Sequence, residues 1–413
     1  MNAFTLINRN LIEIRSGGWA VLFRKSLTIT RLTLSPLIGG VVVLVCYALS
    51  PFVMIRFGHL YTSRIGHLCY NMDNYLAARR ERGSKEWGVF KTDGRISNKA
   101  IYFLWKQQER IFFTGFAGFP IWFLQTLMPG SRLLISWRNE MHPDVSCISA
   151  TPTNVCLSNS DEIKGSKLMH AHGITSPFIC LHNRDSAYLD HYGSDGNVHD
   201  YRDFDFSDFE PAIQKITASG TMAVRLGEMT KSEYRIENPK FVSITGPKRS
   251  DFSDVYLIEK CQFFVGGATG FSSVSSLFRK PQLLVNYTPF RLHELSAWAA
   301  DSLVVPKKLY KTSESRYLHF SEMAALSYDI HYKGDFFGDL GLRVVDNSPE
   351  EIADAIVEMQ ARITGKWFDS VVQQQLQDSF WDSVSGVSHA DTIRHHLRIT
   401  LSSTFLERNQ SLI

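Results

Sequence analysis

Phe263–Asn286 reads FFVGGATGFSSVSSLFRKPQLLVN: an apolar run closing on two glycines, a hydroxyl-rich stretch, then a second apolar run behind Pro281. The pattern predicts a strand, a glycine turn, a helix starting near Gly270 and a second strand. Gly266, Gly267 and Gly270 allow a backbone to approach a ligand closely, and Thr269, Ser272 and Ser273 supply hydroxyls beside a helix N-terminus with its partial positive charge. Together these features suit a diphosphate. A tight structural turn accounts for the same residues, so the flanking sequence must decide between the two.

Upstream, the same rhythm recurs. FICLHNRDSAYL reads as a buried strand ending in a polar turn, DFDFSDFEPAIQKITASG as a helix from near Ser207, and TMAVRLG and KFVSITG as strands. SDFSDVYLIEKC reads as a helix and QFFVGG as the strand that enters the opening stretch. Nearly continuous apolar strands alternating with helices predict an α/β fold whose parallel sheet is covered on both faces. Ligands of such sheets bind at the carboxyl ends of the strands, which places His182, Asn183, Arg184, Arg225, Gly266 and Thr269 at the expected crevice. Two permanent cations at strand ends need either an anion or a carboxylate; Asp185 and Glu228 are the local alternatives for Arg184 and Arg225.

The N-terminal half carries two further βα units. One passes from FVMI through a Gly- and His-containing loop to a helix across Asn71, Asp73 and Leu76; the other has a strand over Trp87 to Phe90, a TDGRIS turn and a helix over Asn98 to Gln108. Ahead of them, Leu32 to Ile55 contains no charged residue. Pro36 and Pro51 bracket about 14 residues of it, or roughly 21 Å of helix, too short for a bilayer's hydrocarbon core. Arg9, Arg15, Arg24, Lys25 and Arg31 precede the segment. We expect a membrane-associating N-terminal segment lying in the plane of the bilayer or re-entering it, with a buried core helix and a full span as alternatives. The boundaries expected from composition are 1–50 for this segment, 51–170 and 171–365 for two domains, and 366–413 for a helical tail.

The 413 residues, 44% hydrophobic and 21% charged, suffice for two domains, and a formal charge of +3 without a basic stripe argues against nucleic acid as a partner. Six scattered cysteines without a CxxC pair point to reduced thiols in a cytosolic setting. No zinc or calcium spacing is present, so no metal and no cofactor are expected.

FICLHNRDSAYL, AIQKITASGTMAVRLGE, SDFSDVYLIEKCQFFVGGATGFSSVSSLFRKPQLLVN, VVDNSPEEIADAIVEMQARITGKW and RIGHLCYNMDNYL resemble a family of bacterial glycosyltransferases encoded among surface-polysaccharide genes. The HNRD turn is also similar, more distantly, to the H-x-R-x-D turn of fucosyltransferases, from which it differs in carrying Asn183 and a single Arg. The resemblance implies a GT-B-like arrangement, two Rossmann-like domains facing a cleft, in which a nucleotide-sugar occupies the C-terminal domain and transfer needs no metal. It further implies a glycan acceptor in lipopolysaccharide or capsule biosynthesis, and the membrane-associating segment favours a lipid-linked acceptor and a place at the cytoplasmic face of the bacterial inner membrane. A sugar-nucleotide epimerase or hydrolase, or a non-catalytic scaffold of a polysaccharide assembly complex, are the other readings of such a fold.

Transfer with inversion requires a base for the acceptor hydroxyl. His67 in RIGHL, at a strand-to-helix turn, is the first candidate, Asp73 along the same helix the second, and His59 a weaker rival. The expected donor contacts are His182, Arg184, Arg225, Asp254, Gly267, Thr269, Gly270, Ser272, Ser273 and Asn286. Asp251 is well placed to cap the helix ahead of Leu257, and Asp203 and Asp205 of DFD read as caps rather than metal ligands.

Overall fold

The computed structural model describes residues 36–144, 146, 148, 151–185, 187, 200–230, 233–326 and 335–413, together with Trp19 and Val21. These fall into two compact units. One comprises the described residues up to Leu60 with Gly83–Asp93 and Lys106–Trp137; the other comprises Tyr61–Arg82, Gly94–Trp105 and the described residues from Arg138 on.

The first unit holds a three-stranded parallel sheet, β1 (Ile55–Leu60), β2 (Trp87–Thr92) and β3 (Ile111–Phe113), in the order β1-β2-β3. Strand β1 runs through Gly58 and His59, where the sequence suggests a loop. Its polar members are accommodated locally: Arg56 pairs with Glu86 at 3.0 Å and donates to the carbonyls of Arg132 and Leu134, and Gly58 leaves room for the Phe90 ring. Residues 36–49 form a helix. Its Val43 and Cys46 join Phe57, Ala117, Ile121, Leu124 and Leu133 in the core of this unit, so one of its faces has the character of a buried core helix. Among the described residues no helix is long and apolar enough to cross a membrane. The basic residues Arg9 to Arg31 that entered the anchor expectation lie outside the described residues.

The second unit is built on a seven-stranded sheet: β4 (Phe178–His182), β5 (Met222–Gly227), β6 (Phe241–Thr245), β7 (Phe264–Gly266), β8 (Gln282–Tyr287), β9 (Leu303–Pro306) and a short last strand, Thr400–Leu401. A small antiparallel sheet of β10 (Lys308–Lys311), β11 (Arg316–Tyr317) and β12 (Leu342–Val345) branches from it, which makes the last strand β13. The large sheet is parallel throughout in the order β13-β9-β8-β7-β4-β5-β6. From β6 to β9 this is the 3-2-1-4-5-6 order of a dinucleotide-binding sheet, with the chain reversing its direction of winding between β4 and β7. Ile179, Leu181, Ala223, Val265, Leu283 and Val304, all buried, form its core with Ile352, Ile356 and Met359 of the helix Pro349–Ile363. Burial on both faces explains why these strands show no alternation of apolar and polar residues.

Candidate active site

A ligand crevice in an open parallel sheet forms where the winding reverses, because the two adjacent connections leave in opposite directions. Here that point lies between the carboxyl ends of β4 and β7, at His182 and Gly266, which pair across the two strands. The GGATG turn follows directly and leads into the helix Gly270–Leu277.

Two helices have their N-termini at this point. The helix Ile65–Glu81 approaches the helix Gly270–Leu277 so closely that a side chain at Gly270 would overlap Ile65 Cγ2, and one at Gly66 would lie 3.5 Å from Ser273 Oγ and 3.6 Å from Gly270 Cα. Their first turns are unlike those of the helices beginning at Asn159, Asp251, Pro349 and Val371, each closed by a capping box from the preceding serine. Neither Arg64 nor Thr269, the N-cap residues of the two converging helices, makes a side-chain cap. Thr269 Oγ1 is buried and has no hydrogen-bond partner. Two uncapped helix ends and an unsatisfied hydroxyl thus meet at one place, which is a strongly anion-favouring environment.

The remaining residues of the turn hold its shape. Ser272 Oγ donates to the Gly267 carbonyl at 2.6 Å, and a side chain at Gly266 would come within 2.7 Å of the His182 carbonyl oxygen. A side chain at Gly267 would meet the Phe204 ring at 3.3 Å. Much of the glycine content therefore serves close packing of the protein on itself, and Thr269 Oγ1 is the polar atom of the turn left without a partner.

His182 packs against Phe271 in a tilted arrangement, with ring centroids 4.4 Å apart, and its Nδ1 lies 3.0 Å from the Leu226 carbonyl. A carbonyl can only accept, so Nδ1 carries the hydrogen and Nε2 is the acceptor. Burial depresses the pKa of His182 to about 4, with Arg225 and Arg184 adding to the effect. The ring is neutral at pH 7, suited to a sugar or ribose hydroxyl rather than to a phosphate oxygen.

Arg184 is ion-paired to Asp203, not to Asp185 as the local sequence offered. The Asp203 carbonyl also accepts from Lys307 Nζ at 2.6 Å, and Lys307 in turn pairs with Asp346 at 2.7 Å. Asp205 caps the 3-10 turn Phe206–Phe209 by accepting from the Ser207 amide at 2.8 Å, so both aspartates of DFD have protein partners. Arg225 is buried, its guanidinium 4.0 Å above the Phe206 ring, and burial lowers its pKa.

Asp254, Asn286 and Asp73 each have protein partners. Asp254 is buried beneath Arg249, which donates to it at 2.6 and 2.9 Å. Ser250, rather than Asp251, caps that helix; the Asp251 carboxylate accepts from the Lys99 amide at 2.8 Å. Asn286 exchanges backbone-to-side-chain hydrogen bonds with Asn347 at 2.6 and 2.7 Å, joining the end of β8 to the segment before the helix Pro349–Ile363. Asp73 accepts from Arg279 at 2.6 Å and from Asn154 at 2.7 Å, buried on the helix Ile65–Glu81. The Asp73–Arg279 pair clamps this helix to the residues that follow the helix Gly270–Leu277. Neither Arg279 nor Lys307 stood out in the sequence. An Asp in the otherwise apolar and neutral LCYNMDNYLA was the available sign of a buried cation nearby.

His67 lies on the first turn of the helix Ile65–Glu81, next to Gly66 and its contact with Gly270 and Ser273. Its Nδ1 is 3.1 Å from Asn71 Oδ1. Asn71 Nδ2 donates to the Met141 carbonyl at 2.8 Å, which orients its amide so that Oδ1 faces His67. Nδ1 must then carry the hydrogen, leaving Nε2 as the basic nitrogen. Tyr61 and His142 flank the ring, at centroid distances of 5.8 and 6.0 Å.

No protein-family model matches this chain, and neither does any curated protein sequence. Among solved structures it is similar to the glycosyl transferase family 9 protein of Veillonella parvula DSM 2008, at 10% identity over 75% of this chain and 98% of that one, with a TM-score of 0.48. It is also similar to the iron-containing dodecameric glycosyltransferase TibC of enterotoxigenic E. coli H10407, at 13% identity over 75% and 77% of the two chains (TM-score 0.42). A third is the E. coli ADP-heptose lps heptosyltransferase II, at 11% identity over 61% and 90% (TM-score 0.40). At such identities and scores the functional reading rests on the site itself.

Proposed function

We propose that this chain is a glycosyltransferase that moves a sugar from a nucleoside-diphosphate donor to a hydroxyl of a glycan acceptor. The observation that carries this reading is the meeting of two uncapped helix N-termini, with the buried, unpartnered Thr269 hydroxyl, at the point where the parallel sheet reverses its winding. In this reading the diphosphate lies over Thr269 and the first turn of the helix Gly270–Leu277. The acceptor oxygen bonds to the anomeric carbon as the bond from that carbon to the phosphate oxygen breaks, and His67 Nε2 takes the acceptor proton. Charge that grows on the leaving diphosphate is met by the helix ends and the Thr269 hydroxyl, groups already in place before reaction. We take the transfer to proceed without a bound cation. We also take the acceptor to be lipid-linked, with the enzyme peripheral at the cytoplasmic face of a bacterial inner membrane.

Calorimetry and thermal shift against UDP, GDP, ADP, CMP and dTDP test the first step: at least one diphosphate should bind and raise the melting temperature by mass action. Absence of binding by all of them removes the transferase and leaves a scaffold. Product formed from a nucleotide-sugar without any acceptor points instead to an epimerase or hydrolase. Turnover that disappears in EDTA and returns with a divalent ion overturns metal independence.

A further inference from the structure

The helix at 36–49 has two unlike faces. Val43 and Cys46 are buried in the first unit, and Gly39 crosses so close to the helix Gly118–Leu127 that a side chain there would lie 2.6 Å from the Phe119 carbonyl oxygen. The opposite face carries Leu37, Val41, Leu44, Val45 and Leu49 at helical spacing, and Phe52 continues it beyond the helix. Leu37 is 68% exposed, Leu44 70% and Phe52 86%. A contiguous aliphatic stripe of this kind is rare on a surface that faces only water.

We propose that this stripe seats the chain in the headgroup layer of an anionic lipid bilayer, with the helix lying in the membrane plane. This rests on the reading above that the enzyme works at a membrane, and it names the face that does so. One face of the helix is fixed in the protein core, so lipid cannot surround it and a span is ruled out by packing as well as by length. The stripe offers only aliphatic and aromatic carbon, with no hydrogen-bonding side chain and none of the Arg that enriches protein interfaces. Residues 1–35, which lead into the helix, contain Arg9, Arg15, Arg24, Lys25 and Arg31 against the single acid Glu13. That charge complements anionic headgroups and would repel the same segment of a second copy.

The test is sedimentation of the full chain with vesicles of phosphatidylcholine, with and without phosphatidylglycerol, alongside a Val41→Asp/Leu44→Asp variant. Wild type should pellet with the anionic vesicles, and the variant's partitioning should fall about tenfold or more. The variant should keep its melting temperature and any nucleotide binding, since the altered side chains are exposed. Wild type that ignores both vesicle types overturns the proposal while leaving the transferase reading intact. A dimer that forms without lipid and is dissociated by the substitutions assigns the stripe to a second copy. A large fall in melting temperature with unchanged vesicle binding assigns it to residues 1–35 of the chain itself. Either result overturns lipid docking.

Discussion

Replacing Thr269 by Val should affect the empty protein and the nucleotide complex in opposite directions. Thr269 Oγ1 is buried without a partner at the cap of an otherwise uncapped helix. An unsatisfied buried hydroxyl costs about 1–3 kcal/mol, and Val fills the same space with a methyl group that needs no partner. The ligand-free Thr269→Val protein should therefore melt higher, by about 1–3 °C, since an unfolding entropy of about 2.1 cal/mol/K per residue over 413 residues gives a shift of about 1 °C per kcal/mol. With a diphosphate over the turn, the hydroxyl makes a charge-assisted hydrogen bond of about 1.5–3 kcal/mol, so its loss should weaken binding roughly 10- to 150-fold. Because charge grows on the leaving group, turnover should fall further than affinity. Differential scanning fluorimetry without ligand, with calorimetry on the best-binding nucleotide, reads both signs, and Thr269→Ser should restore wild-type binding. A variant that melts higher and binds every diphosphate as the wild type does shows that the turn is purely structural. One that melts lower shows that the hydroxyl is already satisfied in solution, and the premise fails.

Asp203 pairs with the Arg184 guanidinium, so Asp203→Asn should loosen its hold on that cation and tighten diphosphate binding severalfold, whereas weaker binding by calorimetry would show that the ion pair itself builds the site. His67→Ala should lower turnover by about 10²–10⁴-fold with donor affinity unchanged, and a loss of affinity instead would make His67 part of the donor site. In Asn71→Leu, which removes the group fixing the His67 tautomer, turnover should fall less and the pH profile should shift. His182 sets an acid limit: its folded pKa of about 4 lies below the unfolded value near 6.5, so the folded state binds fewer protons between the two. Stability is then complete above pH 6.5 and falls by roughly 3 kcal/mol as pH drops to 4, a decline that His182→Asn should flatten in melts across that range.

Local chemistry made much of the second unit legible. Apolar runs bounded by Gly, Pro and polar turns located β4, β5, β6, β7 and β8. Strand β1 was harder to place, because Arg56, Gly58 and His59 break the apolar run, and Arg56 is accommodated by Glu86 and the carbonyls of Arg132 and Leu134, Gly58 by the Phe90 ring. Residue type also indicated which groups could bear charge, but not which partner each would find.

The sequence by itself determined the alternation of strands and helices and the glycine-hydroxyl turn at a strand end, since both depend on neighbours only a few residues apart. Tertiary structure alone decided that Arg184 meets Asp203, that Asp254 lies under Arg249, and that Asp73 is held by Arg279 across 206 residues of chain. It also brought Gly66 onto Gly270, and with it His67 beside the first turn of the helix Gly270–Leu277. The physical reason is range: a turn or a helix is selected by contacts within one or two turns of chain, whereas a buried charge takes whichever opposite charge the packing of remote elements delivers to it.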